Sequence, residues 1–364
     1  MKKILFIICC LVIVFCGYIF LFGKTGPRAI RSTKVTDPVL LPVVTAFADA
    51  IDAAPNAPKP RMELGMTYEG AGMDELAEAT YKQYTDIFPA RIIGWYRLAV
   101  VQQKQGKIKE AIASLERGVA VAPEQMDAPH WQLAFWYIDL GELAKATAHI
   151  AVAQTKKPNS MQVKIVKGRI ALAQGKPLEA IAILDDNRLI SAIPDGYVYQ
   201  LLGRAYRALG DEEKSREAWS RAGQKRPNWA DPWTHIVVEH VVGLNAMRQE
   251  IMRMLQNNNV QQARMLIDDY FSYDRDNRVI RRLDAKCNTL EGKLGNSLKK
   301  YERLIREDSK DKASMILLAK LRMQITQFQT QEEIEVTKAL LESVLIISPD
   351  HVQAKILLDT LPKE

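Results

Sequence analysis

The side chains that could do chemistry are few and poorly spaced for it. His235 and His240 flank Glu239 in HIVVEH. That grouping would serve metal-assisted hydrolysis if both imidazoles shared one helix face, but five residues of separation set them about 140° apart on a helix. Zinc ligands on a helix stand four apart. Asp185 and Asp186 pair two carboxylates, yet they follow Leu184 at a helix end and read as a solvated turn. Cys287 has no histidine near it in sequence and shares a helix with Leu283, the setting of a structural thiol. His130, His149 and His351 are scattered, and GxxxxGK[ST], GxGxxG and GxSxG are absent. The sequence therefore predicts no catalytic, cofactor or metal site, and a protein that is not an enzyme. An unrecognised site between Trp233 and Gln331 is the remote alternative.

What the chain does carry is a repeated helical pattern. Between Tyr199 and Pro227, the residues Tyr199, Leu202, Gly203 and Tyr206 fall at i, i+3, i+4 and i+7, one face of a helix. Ser215, Trp219 and Ala222 repeat the spacing after a turn at Gly210-Asp211, and a proline closes the unit. Small residues in the same local context recur at Gly168, Ala134, Ala99 and Gly65, in steps of 35, 34, 35 and 34. Closing prolines recur at Pro158, Pro123 and Pro89, with Pro194 displaced in a longer turn. The small residue lets two helices of one hairpin cross closely. The framework is Leu64, Gly65, Tyr68, Ala77 and Tyr81, then Trp95, Leu98, Ala99, Ala111 and Leu115, then Leu133, Ala134, Tyr137, Ala146 and Ile150.

On these residues the chain resembles the tetratricopeptide repeat family, whose unit is a helix-turn-helix of about 34 residues. The resemblance implies an all-α, right-handed α-solenoid of about seven to eight hairpins. It is firm over 61–227, where about five repeats are expected. Over 228–364 it loosens into degenerate hairpins built on Met247, Ile251 and Met254; on Ala263, Ile267 and Tyr270; on Leu283, Ala285, Ser297, Tyr301 and Leu304; and on Met315, Leu318, Ala319, Thr337, Leu341 and Val344. Asp231-Pro232 reads as a helix start, with Trp233, Ile236 and Val237 continuing an apolar face. An insertion is expected at 324–331, and a capping helix with a polar outer side over 350–361.

Residues 1–34 are a different material. An uncharged run from Ile4 to Gly23 is about 30 Å long as a helix, enough to cross a membrane. Phe20-Leu21-Phe22 offers no small-residue cleavage site, so a retained anchor is expected. Lys24, Arg28, Arg31 and Lys34 follow and suit anionic lipid headgroups. The short basic N-tail favours an inner-membrane, single-pass protein with its C-terminal body in the periplasm. Residues 35–60, rich in proline, read as a tether in which 43–53 forms a brief helix lying against the first repeat. The whole chain is formally +7, but residues 1–34 hold six of the 50 basic residues and no acidic one. That leaves 44 basic against 43 acidic, which argues against nucleic-acid binding.

The family's first helices line an inner groove, so the resemblance implies a partner-binding surface at Tyr96, Trp131, Phe135, Arg169, Arg204 and Arg207. Trp131 and Phe135 stand at i, i+4 and can form an aromatic shelf; Arg204 and Arg207 stand at i, i+3 and can receive an anion. The expected function is a membrane-anchored scaffold that holds a protein or peptide in this groove during assembly of an envelope complex, of the cytochrome c maturation kind. A permanent accessory subunit of a membrane enzyme complex is the alternative.

Overall fold

The structure, a computed structural model, describes residues 26–122, 126–186, 189, 196–223, 231–326 and 330–362. The apolar run 4–23, Lys24, Pro123, Pro194 and Pro227 lie outside the described residues. Among the described residues no helix is long and apolar enough to cross a membrane. These residues are helical with no strand, and they divide into two compact units: 26–36 with 40–241, and 37–39 with 242–362.

The first unit begins with α1 (Leu40–Ala53), followed by helices paired as hairpins: α2 (Pro58–Gly70) with α3 (Asp74–Ile87), α4 (Ile92–Lys104) with α5 (Ile108–Ala120), α6 (Ala128–Asp139) with α7 (Leu143–Lys156), α8 (Met161–Ala173) with α9 (Pro177–Leu184), and α10 (Gly196–Ala208) with α11 (Glu212–Arg221). The short α12 (Thr234–Glu239) closes the unit. First and second helices differ in burial pattern. In α5 only Ala111, Ile112, Ser114, Leu115 and Gly118 are buried, a single stripe. In α4 the run from Gly94 to Ala99 is buried without a break, because that helix is covered on more than one side. First helices also contact one another, α6 with α8 and α8 with α10, so they form the inner layer of the stack.

The close crossing inferred from the small residues is present. A Cβ built on Gly65 would stand 2.5 Å from Cε1 of Tyr81 on the partner helix. Tyr81 cannot swing aside, since it is fully buried and its hydroxyl donates to Glu69 at 2.9 Å. The inter-helix turns carry a second, uninterrupted signal. Gly72, Gly106, Gly141, Gly175 and Gly210 all hold φ between 71° and 79°, a left-handed backbone that glycine adopts without steric cost.

Residues 35–60 hold the expected helix against the first repeat, and it is longer than a brief one. Helix α1 starts three residues earlier than the brief helix anticipated and buries Leu40, Val44, Ala48 and Ile51 at i, i+4, i+8 and i+11, packing against α2. The segment before it is also pinned. Buried Arg61 donates to the carbonyls of Pro27 (2.8 Å) and Pro55 (3.1 Å), and Tyr68 donates to that of Ile30 (2.8 Å). Arg31, expected to face lipid headgroups, bridges Asp49 (2.7 Å) and Asp52 (2.9 Å) of α1 instead. Arg28 and Lys34 are exposed.

The second unit holds α13 (Leu244–Gln256), α14 (Val260–Tyr273), α15 (Arg278–Leu290), α16 (Leu294–Glu307), α17 (Lys312–Thr326), α18 (Gln331–Ile347) and α19 (Val352–Asp359). Its hairpins pack on the expected residues, Ile251 with Ala263, Ile267 and Tyr270, and Ala285 with Tyr301 and Leu304. They are joined by ion pairs as much as by apolar contact. Arg264 reaches Asp284 (3.0 Å), Asn288 (2.9 Å) and Glu291 (2.8 Å), while Arg278 and Arg282 hold buried Asp311. The capping helix differs from expectation, because α19 leaves Val352 and Ile356 exposed.

Gly65→Val should lower stability by about 1–3 kcal/mol, the usual cost of an overpacked core. Urea unfolding of the full chain checks this; an unchanged midpoint would mean that α2 and α3 do not cross closely at Gly65.

Candidate functional site

The inner face of the first three hairpins is built around a buried charge. Glu69, near the end of α2, has a fully buried side chain. Arg97 of α4, itself buried, donates through Nε to Glu69 Oε2 (3.0 Å) and pairs through Nη2 with Oε1. Lys104 adds a third donor at 2.7 Å and Tyr81 a fourth at 2.9 Å. Burial opposes the charge on Arg97, but the Glu69 and Asp231 carboxylates outweigh it and hold the guanidinium above its ordinary pKa. The Tyr81 phenol is pushed well up by burial and by the Glu69 charge.

Nη1 of Arg97 is taken by Asp231, 2.8 Å away and 134 residues further along the chain. Asp231 is not merely the helix start read from the sequence. Its Oδ2 enters the ionic cluster, while its Oδ1 accepts the Trp233 backbone N–H at 2.8 Å. The Trp233 ring stands edge-on to Tyr96 at 4.9 Å. Helix α12 then packs on α2, and a Cβ built on Gly70 would lie only 2.9 Å from the His240 carbonyl oxygen. The His240 ring faces Phe47 of α1 at 6.4 Å. Residues 231–240 thus run back across the inner face, over α4 and then α2.

Beside Pro232 opens a cavity of about 620 Å³ lined by Asp127, Trp131, Lys156, Lys157 and Ser160 among others. Close by, His130 of α6 and His149 of α7 approach to 3.2 Å between their Nδ1 atoms, and His149 stacks on Tyr137. Burial, then the neighbouring His149 and Lys156, lowers His130 to about 4; His149 is lowered in the same direction, chiefly by burial.

The six sequence-predicted positions separate into two groups. Tyr96, Trp131 and Phe135 are at most 4% exposed. They are core side chains that pack against neighbouring elements rather than an open shelf, with Tyr96 under Trp233 and Phe135 6.2 Å from Tyr197. Arg169 lies over Phe135 at 4.2 Å and pairs with Asp139. Arg204 and Arg207 are exposed. Arg207 covers Trp219 of its own hairpin at 5.5 Å, and Arg204 has no ion-pair partner among the described residues. The structure therefore brings Phe135 and Arg169 together, and leaves Arg204 and Arg207 exposed. Sequence reading passed over Glu69 and Arg97, and read Asp231 only as a helix start. The available signal was the single guanidinium, Arg97, within the otherwise uncharged first ten residues of α4.

A family model described as tetratricopeptide repeat matches residues 94–125 and 197–222, the second and fifth hairpins. Those two hairpins match the tetratricopeptide repeat. Lipopolysaccharide assembly protein B of Escherichia coli strain K12 is 25% identical over 218 residues, 57% of this chain and 55% of the relative. The chain thus spans about half the length of the curated relatives it matches. Similar solved structures include YrrB, described as a TPR protein with an unusual peptide-binding site (17% identity, 54% of this chain, 97% of that chain, TM-score 0.41). A tetratricopeptide repeat protein from Parabacteroides merdae is 14% identical, covering 83% of this chain and 97% of that chain, with a TM-score of 0.39.

Two outcomes follow for these repeats. Replacing Arg97 by Met takes two of the four donors from buried Glu69, leaving Lys104 and Tyr81, and should cost about 3 kcal/mol in chemical unfolding; a cost below about 1 kcal/mol would mean that water reaches the site. The histidine pair gives a pH dependence. Both imidazoles hold a pKa below the unfolded value, so their contribution is complete above about pH 6.5 and is lost as pH falls toward 4. The thermal midpoint should fall over that window, and His130→Gln with His149→Gln should flatten the fall.

Proposed function

We propose that this chain is a scaffold that holds a segment of another protein along the inner face of its repeats during assembly of an envelope complex, attached to the inner membrane through the apolar run 4–23. The observation that carries the reading is the seating of 231–240. The inner face already holds a length of polypeptide by one buried ion pair, one aromatic contact and a close backbone approach, the means by which a helical groove holds a peptide. The family assignment and the similarity to a lipopolysaccharide assembly protein support the setting. Anionic lipid headgroups fall to Lys24, Arg28 and Lys34, since Arg31 is engaged with Asp49 and Asp52.

Partner contact is assigned to Arg204 and Arg207, with Arg169 held alongside by Asp139 and Phe135. A photoreactive residue in place of Arg204, in cells making the full chain, should capture one or a few envelope proteins. Arg204→Glu with Arg207→Glu should abolish co-purification of the same proteins without changing helicity. Unaltered co-purification would remove these arginines from the interface. Capture of extracytoplasmic proteins fits the orientation expected from the short basic N-tail, and capture of cytoplasmic ones reverses it.

A further inference from the structure

The segment 231–241 fits its seat imperfectly. Its ionic anchor and its aromatic anchor are two residues apart, Asp231 on Arg97 and Trp233 on Tyr96, with a backbone turn between them fixed by the Asp231 side chain. The helix that follows has six residues, too short to be stable away from a surface, and it turns Val238 outward at 62% exposure. The Tyr96 hydroxyl beneath it is fully buried and makes no hydrogen bond among the described residues. A buried donor left unmet carries a cost. A ligand that keeps the two anchors and offers this hydroxyl an acceptor binds the same seat better than the chain's own segment does.

We infer that 231–241 is an internal stand-in for the partner, and that the partner carries an acidic residue followed two positions later by an aromatic one and then a short helical turn. The inference rests on the scaffold reading above and specifies its ligand. The carboxylate enters the cluster of Glu69, Arg97 and Lys104, where Lys104, 42% exposed at its side chain, adds attraction from the solvent side. The aromatic ring replaces Trp233 on Tyr96. The stretch next to the anchors has room in the cavity beside Trp131, whose wall includes Lys156 and Lys157. Binding in trans therefore requires release in cis, and apparent affinity falls in proportion to the fraction of chains in which the seat is open.

The test uses the full chain and a fluorescein-labelled synthetic peptide spanning residues 229–241, read by fluorescence polarisation. The peptide should bind a Trp233→Ala variant at least tenfold more tightly than the unaltered chain, and an Asp231→Asn, Trp233→Ala variant more tightly still. A peptide carrying those same two changes should lose at least tenfold in affinity for either variant. Equal affinity for the unaltered chain and for Trp233→Ala, or no binding to a Trp233→Ala chain of unaltered circular dichroism, overturns the inference. If the peptide fails while photocapture at position 204 succeeds, the stand-in is refuted and the scaffold stands. If both fail, the scaffold reading falls with it.

Discussion

Glu69 is a carboxylate with no exposed side-chain surface, and the joining of the first two hairpins to the segment at Asp231 follows from that constraint. An unpaired buried charge costs several kcal/mol, so Arg97 must meet it and must be buried to do so. A buried guanidinium in turn needs its remaining donors met, and Nη1 finds its acceptor on Asp231, 134 residues away. One ion pair between neighbouring first helices thereby draws a distant piece of chain across the inner face. Trp233 and α12 follow because they are attached to Asp231, and each then buries apolar surface of its own.

The aromatic side chains of the first helices are each covered by a different neighbour. Tyr96, Trp131 and Phe135, read from the sequence as groove-facing, are all three buried. Trp233 covers the first, the neighbourhood of Pro232 and the α7–α8 loop surrounds the second, and Arg169 and Tyr197 close over the third. Further along the chain, Arg169 pairs with Asp139 over Phe135, and Arg204 and Arg207 are exposed on α10.

The hairpins were legible in the sequence because their determinants are local and periodic. The small residue at each crossing, Gly65 or Gly168 for example, has its partner ring or Leu within one unit, and the 34-residue step multiplies the signal five times. The turn glycines at 72, 106, 141, 175 and 210 repeat it independently. The inner-face occupant was not legible, for the opposite reason. Asp231, Pro232 and Trp233 satisfy every local rule for a helix start, and nothing within 30 residues of them indicates that Arg97 is their partner. The second unit blurs for a third reason. Arg264, Arg278 and Arg282 join its hairpins through carboxylates, so periodic apolar spacing carries less of the packing there.

Amide hydrogen exchange over Thr234–Glu239 in the full chain reports directly on whether this segment is seated. A six-residue helix has no stability of its own, so any protection of its amides comes from the surface beneath. Slow exchange there, lost on Trp233→Ala while α2 and α4 keep their protection, follows from a segment held by Arg97 and Tyr96. Exchange at the rate of a free peptide in the unaltered chain would contradict it, and would leave the inner face of the first three hairpins an open groove.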